Sequence, residues 1–221
     1  MMRLLANVLT ALDRFHAARP WDHNAHYHPW ILRQLPARYG SALDLGAGSG
    51  DLARLLASRA RSVLGVDADP AIVEQARQLT APDSRVTFTA GDAMVEPAAG
   101  PFDVITCVAV IHHLPFGDAL ARLRGLLAPG GTLVVVGLAR PHSPVDHLLG
   151  AAATAANVVM ALLKNRGRRV DRPVAMTAGT RPASMTFDEI ARHARRELTG
   201  ARLRRRLFWR YTLVWRDRPE R

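Results

Sequence analysis

The chain has 221 residues, of which 48% are hydrophobic, and it contains one cysteine. This length suits a single α/β domain with a complete core. Because an intramolecular disulfide needs two thiols, the lone Cys107 excludes one and fits a reducing, cytoplasmic compartment. The short apolar stretch at the N-terminus is not followed by a small-residue cleavage site, so we expect no signal peptide.

The positive charge is concentrated near the C-terminus. Residues 1–163 carry thirteen basic and thirteen acidic side chains, whereas residues 164–221 carry seventeen and six, which accounts for the net charge of +11. Basic residues interleaved with aromatic ones can bind nucleic acid by phosphate contact and stacking. Charged edge strands that discourage aggregation give the same pattern, and we favour this interpretation. The arginines concerned are Arg202, Arg204, Arg205, Arg206 and Arg210.

The longest weakly polar stretch lies at residues 148–163. It has 16 residues, whereas a helix needs about 20 apolar residues to cross a bilayer. We therefore expect no membrane span. An amphipathic lid helix and a helix at a membrane interface are the two interpretations left open.

Three glycines, Gly46, Gly48 and Gly50, follow a short apolar strand at residues 41–45. They precede residues 51–57, whose apolar spacing predicts a helix. Glycine allows positive φ values and close approach of a ligand to the main chain, and a helix start offers free N–H groups. The spacing does not fit a dinucleotide fingerprint, because Asp51 stands where the third glycine would be.

The pattern acid-x-Gly-x-Gly-x-Gly, from Asp44 to Gly50, resembles the first motif of class I S-adenosylmethionine-dependent methyltransferases. The resemblance implies S-adenosyl-L-methionine as the cofactor. It also implies cofactor contacts for Asp44, for the three glycines and for Ala47 between them.

A second strand at residues 62–66 ends at Asp67, which lies 23 residues after Asp44. This is close to the spacing at which an acid reaches ribose hydroxyls in nucleotide-binding folds. We predict that Asp67, with Ala68 beside it, binds the ribose. Asp69 is predicted to cap the helix that begins at Pro70.

A third strand, at residues 86–90, leads into Asp92, Ala93 and Met94. The resemblance implies that the Asp92 carboxylate accepts a hydrogen bond from the adenine amine and that the Ala93 N–H meets a ring nitrogen. Met94 is a candidate to pack on the adenine face through its polarizable thioether. A plain surface turn is the alternative for Asp92.

A long apolar run at residues 102–110 predicts a strand buried on both faces. The resemblance places Val108 at the cofactor. His112 and His113 follow, where the transferred methyl group is expected to point, and histidine titrates in a useful range for a base. We favour His113 slightly as base or substrate anchor, with packing or contact to the methionine moiety as the alternative for both.

The remaining elements complete a fold prediction. Residues 126–131 end a helix before a fifth strand at 132–138, and two final strands are expected at 202–206 and 208–216. The resemblance implies an α/β, Rossmann-like, seven-stranded, mostly parallel sheet with helices on both faces and an antiparallel last strand. We divide a single methyltransferase domain, residues 1–221, into four parts: an N-terminal helical cap (1–40), a cofactor-binding core (41–138), a lid or substrate insertion (139–185) and a C-terminal helix with edge strands (186–221).

Several histidines crowd the N-terminal segment, but their spacing matches no zinc pattern. We therefore predict no metal and interpret these side chains as packing or hydrogen-bonding groups. Tyr27, His28 and Trp30 are candidate walls of the substrate or methionine pocket. The histidines concerned are His16, His23, His26 and His28.

The sequence favours methyl transfer by in-line displacement to a small aromatic or lipid-like acceptor, such as a quinone precursor or a phenol. The motif typical of base-nitrogen methylation is absent after the fourth strand, at residues 109–112. Two alternatives stay open. One is an RNA or protein methyltransferase that uses the arginine-rich segment, and the other is a cofactor-binding module without catalysis.

Overall fold

The computed structural model of the protein describes residues 10, 12, 14–92, 94–95, 100–166, 168 and 181–217. Within them the strands are β1 (Tyr39–Leu45), β2 (Ala60–Asp67), β3 (Val86–Ala90), β4 (Phe102–Val108), β5 (Leu127–Leu138), β6 (Arg202–Arg206) and β7 (Arg210–Arg216). The α-helices are α1 (His28–Gln34), α2 (Asp51–Leu56), α3 (Pro70–Gln78), α4 (Phe116–Gly125), α5 (Pro144–Lys164) and α6 (Phe187–Glu197). Residues 14–18 are also helical, and short 3-10 turns cover Ala25–Tyr27 and Ile111–His113.

The strands form one seven-stranded sheet in the order β3-β2-β1-β4-β5-β7-β6. Strands β1 to β5 are parallel, and β7 is antiparallel to both of its neighbours. The predicted Rossmann-like fold is therefore confirmed. The carboxyl ends of β1, β2, β4 and β5 meet at one edge of the sheet, and β7 begins at that same edge because Arg210 pairs with Leu138.

Helices cover both faces of the sheet, as predicted. On one face α4 and α6 pack on Ile105, Leu133 and neighbouring strand residues. On the other face α1, α2 and α3 pack on Val104, Val134 and their neighbours. Every second side chain of β7 lies in the first of these clusters: Tyr211, Leu213 and Trp215.

One strand begins earlier than the sequence predicts. We expected residues 128–131 to form a turn before a strand at 132–138, but α4 ends at Gly125 and β5 already begins at Leu127. Gly130 has a φ of 81°, and the pairing of β5 with β4 is irregular at this end. The glycine thus makes a bulge within the strand instead of a turn before it.

A tight hairpin joins β6 to β7 without any glycine, asparagine or proline. Phe208 and Trp209 both adopt left-handed φ values, 58° and 57°, although such values cost a non-glycine residue about 1–2 kcal/mol. Burial of the Phe208 ring offsets this strain, because it packs against Trp21 with ring centroids 4.9 Å apart. The Tyr27 hydroxyl also donates to the Leu207 carbonyl at 2.7 Å.

Helix α5 is longer than the weakly polar stretch in the sequence and has 21 residues. By length and composition alone it could cross a membrane. One side of it is nevertheless part of this domain, because Ala153 and Ala161 are buried beside Trp21. Asn157 in the same helix accepts a hydrogen bond from the Trp21 indole at 2.7 Å. That the chain has no membrane span stays a prediction.

The hairpin turn makes a stability prediction with an internal control. Phe208→Ala removes a ring that is only 3% exposed, so we expect the free energy of unfolding to fall by about 3 kcal/mol. Trp209→Gly removes a half-exposed ring and relieves a left-handed backbone, so we expect a change of no more than about 1 kcal/mol. Urea denaturation of both variants measures the difference, and equal losses would contradict this account of the turn.

Candidate active site

The glycine turn lies at the carboxyl end of β1 and has the backbone conformation that the sequence predicts. Gly46, Gly48 and Gly50 have φ values of 71°, 53° and 80°. A Cβ on Gly46 would overlap the side chain of Val110, whereas a Cβ on Gly48 would meet no atom within 4 Å. Packing therefore requires glycine at Gly46, and Gly48 leaves the main chain open to a ligand.

Hydrogen bonds tie this turn to the end of β2. The N–H groups of Gly46 and Ala47 donate to the Val66 carbonyl at 2.7 and 3.0 Å. The Gly48 N–H donates to Oδ2 of Asp67 at 2.8 Å. The carboxylate predicted to bind ribose is thus fixed beside the open side of the glycine turn.

Asp67 and Asp69 have separate roles, and the sequence predicts that Asp69 is the helix cap. The Asp69 side chain accepts from the Ala71 N–H at 2.9 Å and caps α3, which confirms that prediction. Asp67 does not cap the helix, and its Oδ1 accepts from the Asp69 N–H at 3.1 Å. Ala68 is exposed beside it. The contact of Asp67 with the ribose stays a prediction.

Asp44 lies beneath the turn and faces the protein interior. It is 2% exposed, and its Oδ1 accepts a hydrogen bond from the Thr106 hydroxyl at 2.7 Å. Burial, together with the charge of Asp67, raises the pKa of Asp44 to about 7, although the hydrogen bonds from Thr106 and from the Ala53 N–H oppose the shift. The geometry therefore gives Asp44 a supporting position under the turn.

The residues predicted for the adenine follow β3. Asp92 is exposed, and its Oδ1 accepts from the Met94 N–H at 2.7 Å. Met94 is partly buried and packs against the core cluster on one sheet face. Ala93 lies outside the described residues. The adenine contacts of these residues stay predictions.

The two histidines follow the end of β4 at Val108. Their rings are in contact, with centroids 4.0 Å apart and planes tilted by 38°. Burial and the neighbouring His113 lower the pKa of His112 to about 4. Burial, and then the charge of Arg181, also lower the pKa of His113. His112 is therefore neutral near pH 7, the form in which a histidine can accept a proton.

A cavity of about 260 Å³ adjoins His112 on the face of α4 and α6. Its walls include Phe116, Met185 and Tyr211. Nδ1 of His112 and the hydroxyl of Tyr211 are buried without a hydrogen-bond partner among the described residues. Two polar atoms are thus available to a bound molecule next to the predicted position of the methyl group.

A larger cleft of about 410 Å³ lies on the other side of Tyr211. The hairpin β6–β7 contributes Arg206, Trp209 and Arg210, and α5 contributes Leu149. The sequence places Arg210 in the basic cluster and Tyr211 in an expected strand, and it identifies neither as a cleft residue. Their position depends on long-range strand pairing, which no local motif encodes.

Two further positions were missed although the sequence contains a signal for them. Thr106 is a polar residue within an apolar strand, and it holds the Asp44 carboxylate. Gly137 lies within β5, where a Cβ would overlap the Tyr211 ring. A buried polar group needs a partner, and glycine inside a strand indicates close approach.

The N-terminal histidines make hydrogen bonds and ring contacts of the predicted kind. His23 Nε2 lies 2.9 Å from Oδ1 of Asn157, and Nδ2 of Asn157 lies 3.2 Å from a ring nitrogen of His16. The His26 ring contacts Phe208 with centroids 5.1 Å apart. Within the described ranges, histidine, cysteine and acidic side chains form no group of three or more that could hold a metal. The absence of a metal stays a prediction.

Two of the three predicted pocket walls, Tyr27 and Trp30, contact the hairpin. Tyr27 is hydrogen-bonded to the hairpin, and the Arg206 guanidinium lies over the Trp30 ring at 5.2 Å. His28 is buried at the start of α1. These side chains support one wall of the cleft, and their contact with a ligand stays a prediction.

Comparison with known proteins agrees with this site. Residues 42–131 match the family model for a methyltransferase domain. An uncharacterized methyltransferase of Mycobacterium tuberculosis is 33% identical over 204 residues, which cover 90% of this chain and 98% of that protein. The ubiquinone biosynthesis O-methyltransferase of Pseudomonas aeruginosa is 30% identical over 194 residues, 79% of this chain and 81% of that protein.

Solved structures agree on the fold. The N-methyltransferase NodS from Bradyrhizobium japonicum, in complex with S-adenosyl-L-homocysteine, aligns over 96% of this chain and 98% of that chain, with a TM-score of 0.59 and 20% identity. A protein from Pyrococcus horikoshii aligns over 87% and 88%, with a TM-score of 0.62 and 19% identity.

The fold and the glycine turn define a class I methyltransferase. The chain belongs to the S-adenosylmethionine-dependent methyltransferase family. The residues present fit the cofactor, because the main chain at Gly48 is open and the Asp67 carboxylate lies beside it.

The position of Asp67 makes a binding prediction. In Asp67→Asn the neutral amide loses charge-assisted hydrogen bonds to two ribose hydroxyls, so we expect the Kd for S-adenosylhomocysteine to rise about 10- to 100-fold. Calorimetric titration measures this. Asp69→Asn is the matched control, because it removes a neighbouring charge from the helix cap, and its Kd should stay within about twofold of the parent value. An unchanged Kd in Asp67→Asn would remove Asp67 from the ribose site.

The buried Asp44 makes a pH prediction. Its folded pKa of about 7 lies above the ordinary value, so the folded state binds the proton more tightly than the unfolded chain does. Stability from this group is therefore lost as pH rises from about 4 to about 7. Relative to Asp44→Asn, we expect the parent protein to gain about 2 kcal/mol of unfolding free energy between pH 7.5 and pH 5. Urea titrations at both pH values test this, and a constant difference would contradict the raised pKa.

Proposed function

We propose that the protein transfers a methyl group from S-adenosyl-L-methionine to a small aromatic or lipid-like acceptor. The observation that supports this best is the cleft of about 410 Å³ between the hairpin β6–β7 and helices α5 and α6. Its lining combines apolar and aromatic side chains, such as Leu149 and Phe187, with charged ones. It shares Tyr211 with the cavity at His112.

The cofactor, when bound, supplies an electrophilic methyl group on a sulfonium. The protein then mainly has to hold the acceptor in line with that group. Leu149 and Phe187 contribute apolar walls against which the apolar part of an acceptor can pack. His112 and His113, both with lowered pKa values, are the candidate bases for an acceptor that must lose a proton.

The environment of the arginines argues against a polymeric acceptor. Arg205 forms ion pairs with Asp146 at 2.8 Å and Asp188 at 3.2 Å. Arg206 lies over Trp30, and Arg210 lines the cleft. Phosphate binding needs several exposed basic side chains along one surface, whereas only Arg202 and Arg204 of the five arginines are exposed.

The curated relatives support the same class of acceptor. The Pseudomonas aeruginosa relative is named for O-methylation in ubiquinone biosynthesis. This chain aligns with four fifths of that protein. An aromatic hydroxyl on a lipid-like molecule is therefore a reasonable first acceptor to test.

Methyl-labelled S-adenosylmethionine tests the proposal directly. The purified protein is incubated with a panel of phenols and quinols, with total RNA and with a protein extract, in separate reactions. We expect label only in the small-molecule reactions. Label in RNA or protein would contradict the proposed acceptor class, and binding of S-adenosylhomocysteine without label in any reaction would contradict catalysis.

The histidines make a kinetic prediction. Removal of a general base costs about 10²- to 10⁴-fold in rate, so we expect His113→Ala to lower kcat at least tenfold with the Kd for S-adenosylhomocysteine unchanged. His112→Ala, which removes the neighbouring ring, is the matched variant. The pH dependence of kcat distinguishes them. A fall in kcat below about pH 4 identifies His112 as the base, because its pKa is about 4. Unchanged turnover in His113→Ala would remove it from catalysis.

A further inference from the structure

Arg210 is held by hydrogen bonds to neutral groups and lines the larger cleft. Its Nη1 donates to the Phe208 carbonyl at 3.3 Å, and its Nη2 donates to Oδ1 of Asn24 at 2.9 Å. Its Nε is buried without a hydrogen-bond partner among the described residues. Arg205, by contrast, is bound by the carboxylates of Asp146 and Asp188.

The acidic residue whose charge acts on Arg210 already accepts hydrogen bonds from other groups. Asp22 influences the charge of Arg210, but its carboxylate accepts the N–H groups of Asn24 and Ala25 at 2.7 and 3.1 Å. Across the part of the chain that the structure describes, Arg210 forms no ion pair. Among the residues that the structure describes, the guanidinium is therefore held by neutral groups and contacts no carboxylate.

A partly buried cation that contacts no carboxylate is unfavourable, because it loses part of its hydration without gaining an opposite charge. Burial accordingly lowers the pKa of Arg210. A carboxylate suits such a site, since a guanidinium binds it through parallel N–H donors and gains charge-assisted hydrogen bonds.

We propose that Arg210 binds a carboxylate of the acceptor in the cleft. The next residue, Tyr211, reaches both the cleft and the cavity at His112, so the rest of the molecule can extend from Arg210 toward His112. The acceptor is therefore a small acid whose methylated atom lies at the end away from the carboxylate. This inference rests on the proposed function and narrows its substrate class.

The donor carries a carboxylate too, on its methionine part, but its expected position is different. The donor is expected at the glycine turn after β1, and Arg210 lies at the start of β7, separated from β1 by β4 and β5. Arg210 also faces a cleft lined by the hairpin and α5. The carboxylate of the acceptor is the better match for this place.

Binding of matched acids and amides tests the proposal. The probes are 4-hydroxybenzoate and 3,4-dihydroxycinnamate, each compared with its amide, titrated into the protein saturated with S-adenosylhomocysteine. We expect each acid to bind at least tenfold more tightly than its amide. Arg210→Gln should abolish the preference, and Arg210→Lys should retain part of it. Arg204→Gln is the control, because it removes an exposed charge from the same hairpin and should leave the preference intact.

Three binding results would overturn the proposal, and so would one result from turnover. One is equal or undetectable binding of acids and amides to the parent protein, which needs no variant. Another is an unchanged preference in Arg210→Gln. The third is a tenfold loss of S-adenosylhomocysteine affinity in Arg210→Gln, which would assign the arginine to the donor. Methyl transfer to a neutral phenol with no preference for acids would overturn this inference and leave the proposed function standing.

Discussion

The antiparallel pairing of β7 with β5 is the constraint on which the larger cleft, at the hairpin β6–β7, depends. Tyr211 lies opposite Gly137, and a Cβ at Gly137 would overlap the tyrosine ring. Because a shift by one residue would move every side chain of β7 to the other face, this contact sets the register. The register places Arg210 opposite Leu138, at the edge of the sheet where the parallel strands end.

Unfavourable local features collect at this edge and are stabilised by contacts elsewhere. Asp44 is a buried carboxylate held by Thr106, and Arg210 is a cation bound only to neutral groups. Phe208 and Trp209 hold left-handed backbones. Strain and buried charge of this kind cluster at functional sites, where the surrounding packing maintains them. Here the two core layers and the contact of the hairpin with Trp21 provide that packing.

The sequence predicts the region of the glycine turn much better than it predicts the larger cleft, for a physical reason. The glycine turn, the acid after β2 and the cap at Asp69 are local, since each depends on residues only a few positions apart. The cleft combines Leu149 of α5 with Arg210 of β7, which are far apart in sequence. A single sequence predicts that β7 exists and which face is apolar, but it does not reveal which helix packs over its first residue. Only Gly137 and Thr106 gave local signals of such contacts.

The same division explains why family membership leaves the acceptor open. The family model matches residues 42–131, which contain the glycine turn, Asp67 and both histidines, and which end before α5, α6 and the hairpin. Those later elements supply the walls of the larger cleft. An acceptor is distinguished by the groups that surround it. Relatives that share residues 42–131 can therefore differ in substrate through a few residues of the hairpin. The arginine at the first position of β7 is such a residue, because it brings a positive charge into the cleft. The rest of the cleft consists largely of apolar side chains, aromatic rings and charged side chains with partners of their own.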